Sequence, residues 1–111
     1  MKFFTLSCLL FLNYANAGTL GDAYRTVCLP IQNQPDVHEC VLALRGHSYF
    51  EIRPLAICVS LKLNSDKAFC LKTIGDITYD LEETATCEQK TTDEDKIACL
   101  IQLGHNYYPE P

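Results

Sequence analysis

Cysteine is the residue with the most chemistry to offer in this chain. Apart from Cys8, six cysteines stand at 28, 40, 58, 70, 87 and 99, which reads C-x11-C three times with gaps of seventeen and sixteen residues between. Thiols can attack a carbonyl, hold a metal or pair as disulfides. An even number at equal spacing argues for pairing, because a nucleophile needs a thiol that stays free. Six cysteines allow fifteen pairings. The repeat favours Cys28–Cys40, Cys58–Cys70 and Cys87–Cys99.

Other columns follow the same register. An aspartate stands eight residues after each first cysteine (Asp36, Asp66, Asp95), and a tyrosine nine after each second (Tyr49, Tyr79, Tyr108). An aliphatic residue follows each second cysteine directly: Val41, Leu71 and Leu100. Agreement at several columns marks an internal repeat of about thirty residues. The tyrosines line up if the units stack. They would form either an aromatic binding strip or the packing between units, and strict recurrence favours packing. The histidines are His38, His47 and His105; His47 and His105 occupy nearly equivalent places after their cysteines, with Asp76 as the middle unit's counterpart. Imidazoles with a carboxylate are the donor set of a metal site or an acid–base site. Polar residues at helix ends are the simpler reading, so no metal, cofactor or catalytic residue is assigned. Glu82-Glu83 and Asp93-Glu94-Asp95 read as a solvated acidic face, since adjacent helical residues point apart. The sequence carries no Gly-rich phosphate loop, G-x-S-x-G, H-E-x-x-H or calcium loop.

The elements that must position these residues follow a leader-like start. Met1-Lys2, an apolar run from Phe3 to Leu12 and Ala15-Asn16-Ala17 form a secretory signal pattern, with cleavage expected between Ala17 and Gly18. The apolar run is about half the roughly twenty residues that span a bilayer. Residues 1–17 are thus read as a signal peptide and 18–111 as one cysteine-rich helical domain, with no membrane anchor after cleavage. Without Lys2 the charge becomes −6, from eight basic and fourteen acidic residues. That balance disfavours nucleic acid and anionic lipid as partners.

Each unit (about 18–47, 48–75 and 76–108) reads as helix, tight loop, helix with one cysteine per arm. In the middle unit Asn64 is an expected N-cap; Ala68, Leu71 and Ile74 form an apolar face, and Gly75 offers the left-handed stop. Asp76 is expected to cap a following helix through Ile77, Leu81 and Ala85. In the third unit Asp93 caps, Ile97, Leu100 and Ile101 turn inward, and Gly104 ends the helix. In the first, Pro35 opens a helix through Val37, Val41 and Leu44, and Ser48-Tyr49-Phe50-Glu51 is a capping-box pattern for the next. Pro30 ends or kinks the first helix, and Pro54 makes the second unit's first arm start near Arg53 or bend there. The fold expected is all-α: three tandem disulfide-stapled αα-hairpins in a short solenoid-like stack.

The run from Leu100 to Tyr107 resembles the first-helix pattern of tetratricopeptide and Sel1-like repeats, and Leu20-Gly21-Asp22-Ala23-Tyr24 echoes part of it. Secreted Sel1-like proteins are also disulfide-stapled helical hairpins. In that frame Gly104 sits mid-helix. The period here is nearer thirty residues than thirty-four, so the resemblance is one of building principle.

The functional expectation is a secreted or periplasmic, non-enzymatic module that binds another macromolecule, with an unidentified protein as partner. The alternatives are a carrier of a small apolar ligand and a small secreted enzyme or toxin, for which His47, Asp76 and His105 would be the first candidates. A stack has two exposed ends, so a homodimer is a further expectation.

Overall fold

The computed structural model describes residues 17–107, with side chains for 18–104. Six helices account for most of it. Thr19 and Asp22 close a reciprocal capping box, which starts α1 at Leu20–Ala23. The chain then widens into a π-helical turn, Tyr24–Cys28, and Pro30 follows as the stop. Asn33 caps α2, Gln34–Ala43, through the amide of Asp36, with Pro35 in the first turn where no hydrogen bond is lost. The remaining helices are α3 (Ile52–Ser60), α4 (Asn64–Ile74), α5 (Leu81–Glu88) and α6 (Asp93–Tyr107).

These helices form three hairpins. The π-helical turn packs on α2, α3 on α4, and α5 on α6, while α2, α4 and α6 stack in one row beside a row formed by the turn, α3 and α5. The expected pairings are present: Cys28–Cys40, Cys58–Cys70 and Cys87–Cys99, each with Cα atoms 5.5 Å apart. The architecture is therefore all-α, with disulfide-stapled helical pairs at regular spacing. Between the rows lies the core. Phe50, Ile57, Leu71, Ile74 and Leu100 are fully buried, and Ala68 joins Leu71 and Ile74 as the apolar face of α4. The repeat explains the arrangement: one hairpin exposes an apolar stripe on each side, and its neighbours cover it.

Several local expectations are corrected. Ser48-Tyr49-Phe50-Glu51 is not a capping box; Phe50–Glu51 forms β2, antiparallel to β1, Ala17–Gly18, with Gly18 opposite Phe50. The residues from Asp76 to Asp80 are not helical, and Asp80 caps α5 through the amides of Glu82 and Glu83. Ile101, Val41 and Leu81 are exposed, because the inward stripe is narrower than their spacing suggests. The left-handed turns belong to Gly46 (φ 81°) and Asp76 (φ 62°), not Gly75. These two residues occupy the same column, six after the second cysteine, so the first two units share the turn, whereas the third stays helical there. Gly75 is needed for closeness instead, since a side-chain carbon there would overlap the His47 ring. Gly104 lies inside α6, as the tetratricopeptide-like register places it.

Candidate functional site

Three polar residues expected to cap their own helices reach across unit junctions instead. Asn64 donates from Nδ2 to Asp36 Oδ2 at 2.9 Å. Asp76 accepts the amides of Ser48 and Tyr49 at 3.0 and 3.1 Å, and its own amide donates to the Tyr49 carbonyl. Asp93 accepts the amides of Lys62 and Leu63 at 2.9 to 3.1 Å. The two aspartates thereby fill amide donors that a loop between helices would leave open.

His47 and Asp76 do come together: Nδ1 lies 2.9 Å from Asp76 Oδ2, and the ring meets Phe50 edge-on. The Ser48 amide, then the His47 side chain, holds the Asp76 carboxyl below its usual range. One carboxylate thus binds the imidazole, the Ser48 hydroxyl and two amides, an arrangement that fastens the first unit's exit loop to the second unit. The His105 side chain lies outside the described residues. No group of three or more metal-ligating side chains gathers among the described residues.

The tyrosine column divides. Tyr49 is half-buried and donates to Glu51 Oε2 at 2.7 Å. Tyr79 is 5% exposed; its amide donates to Glu51 Oε1, so the buried Glu51 joins two units. Burial, and secondarily the Glu51 charge, pushes the Tyr79 hydroxyl far up, and that hydroxyl has no hydrogen-bond partner among the described residues. Tyr108 lies outside the described residues.

A surface feature that the sequence reading missed lies on the stacked row of second helices. A cleft of about 250 Å³ opens between α2 and α4, lined by Asp36, Glu39, Asn64, Ser65, Ala68, Phe69 and Lys72. Asp36 and Glu39 form the α2 wall. Phe69 is 51% exposed on the opposite wall, and Lys72 stands one turn further along. Glu39 and Lys72 have no hydrogen-bond or ion-pair partner among the described residues. A signal for this site was present: Glu39, Phe69 and Ala98 share the column before the second cysteine, across that cysteine from the aliphatic column in which Leu71 and Leu100 face inward.

Among the described residues no helix is long and apolar enough to cross a membrane, and the three disulfides fit an oxidising compartment. No protein-family model matches the chain, and no curated protein or solved structure matches it either.

Proposed function

We propose that this protein is an exported helical module that binds another macromolecule through the outer face of α2 and α4. The observation that carries this reading is Phe69, a large aromatic side chain half in solvent beside an open cleft. Exposed aromatics with a polar rim are the usual anchors of protein recognition. The scaffold suits the task. Three disulfides and the amide-binding carboxylates of Asp76 and Asp93 hold the helices in place, so little ordering remains to be done on binding. The cleft, at about 250 Å³, falls below the range of about 300–1,000 Å³ that encloses a small ligand, which favours a protein surface over an apolar cargo. The expected leader accounts for export, and N-terminal sequencing of the exported protein should begin at Gly18.

Native mass spectrometry of the protein recovered from cells that export it tests the reading. The wild type should carry a protein-sized adduct that Phe69→Glu loses. An adduct that persists in the variant, or a small-molecule mass held by both, would overturn it.

A further inference from the structure

We propose that the cleft between α2 and α4 takes a lysine or arginine side chain from an extended segment of a partner protein, its cation against Asp36 and Glu39 and its methylene stem along Phe69. The inference rests on the reading of the protein as a macromolecule-binding module and names the chemistry of its partner.

The repeat shows which residues packing leaves free. In the column after the second cysteine, Leu71 and Leu100 are fully buried and only Val41 is exposed, whereas Glu39, Phe69 and Ala98 in the column before it are all exposed. Nothing in the stacking of α4 requires an aromatic ring there. Its counterpart in the third unit, Ala98, carries no ring, so the column does not call for one. The ring therefore offers an open face, and an aromatic face attracts a cation that approaches within about 6 Å.

The opposite wall supplies the charge. Asn64 binds one oxygen of Asp36 at 2.9 Å and so fixes that carboxylate at the cleft. Glu39, one turn further along α2, faces the cleft with no cation of its own chain paired to it among the described residues. Lys72 gives the cleft a direction. It stands beyond Phe69 at the end away from Asn64 and Ser65, so an incoming cation is repelled there and drawn to the Asp36 end. Lysine and arginine fit both walls, because a long apolar stem carries the charge. A chain with formal net charge −5 also steers basic partners toward it at long range.

Selection of a random-peptide library displayed on phage against the intact, oxidised protein tests the proposal. Glu39→Gln and Phe69→Ala serve as counter-screens. Both positions are exposed, and circular dichroism with an unreduced mass confirms that each variant keeps its fold. The enriched peptides should share a lysine or arginine. A synthetic representative should bind each variant about tenfold more weakly, and norleucine in place of its basic residue should cost a similar factor. Peptides that need Phe69 but are indifferent to Glu39→Gln and to norleucine would overturn the cation assignment and leave the binding-module reading standing. Absence of any peptide that depends on Phe69 would overturn both.

Discussion

Asp66→Asn should stabilise the protein at neutral pH and lose that advantage in acid. Two junctions of the stack place the same columns together. Between the first and second units an amide meets a carboxylate, Asn64 on Asp36. Between the second and third the partners are Asp93 and Asp66, two carboxyls close enough to act on each other's protonation. Burial, then the neighbouring carboxyl and charge of Asp93, with Glu94 adding to them, raise the Asp66 carboxyl above its ordinary value. Burial acts upward on Asp93 too, but the Leu63 and Lys62 amides outweigh it, helped by Lys96, and leave Asp93 lowered. Lys67, the other nearby cation, is turned to the Val59 and Leu61 carbonyls.

A carboxyl raised by folding contributes its full stability below the unfolded value near 3.8 and loses it as pH climbs through the raised folded value. Asparagine removes that loss. Both groups are near the surface, so the like-charge repulsion relieved is that of a solvated pair, about 0.5 kcal/mol. An amide donating to Asp93, as Asn64 does to Asp36, adds about 1 kcal/mol. Loss of a charge in the first turn of α4 costs about 0.5 kcal/mol. The sum is a gain of about 1 kcal/mol, or about 5 °C in Tm for a domain of this size. Thermal melts of both oxidised proteins across a pH series provide the assay. The gap should close below the ordinary carboxylate value, where Asp66 carries its own proton and donates in the same way. A variant less stable at neutral pH, or a gap that ignores pH, would refute the reasoning.

The other predictions concern the staples and the core. Replacing Cys58 and Cys70 together by alanine frees a twelve-residue separation and should lower urea stability by about 3 kcal/mol; a loss under about 1 kcal/mol would mean that the middle staple is redundant. Gly75→Ala should push His47 off Asp76, so the His47 imidazole resonances should move and the melting temperature fall by several degrees. Unchanged resonances would show that the exit loop yields without cost. Tyr79→Phe removes a buried hydroxyl with no partner among the described residues and should raise stability by about 1 kcal/mol in denaturant titration. A clear loss would reveal a partner for that hydroxyl.

The disulfides and the helical pairs were legible because both are local. Eleven residues between cysteines constrain a hairpin wherever it sits in the chain, and Asn33 and Pro35 announce α2 within one turn. Asn64, Asp76 and Asp93 were misread for the complementary reason. Each is a good cap by type and place, but each finds partners 27 to 31 residues away, and only the stacking of units creates those partners. The capping work passes to Asp80 and Thr92, whose side chains accept the first-turn amides. Phe50–Glu51 escaped notice because a two-residue strand has no period, and its pairing with Ala17–Gly18 is a long-range event. The cleft was legible in part. The repeat fixes which column faces out, but Phe69 stands out only once its inward neighbours are seen to be buried.

Digestion of the unreduced protein with trypsin tests the stack of closed units most directly, because cleavage after lysine and arginine separates the cysteines informatively. Residues 26–45 should emerge as one peptide with an internal disulfide, 46–62 joined to 68–72, and 73–90 joined to the segment that begins at residue 97. A peptide joining 26–45 to 46–62, which requires a bond from Cys28 or Cys40 to Cys58, would contradict the architecture and with it the face on which the proposed function depends.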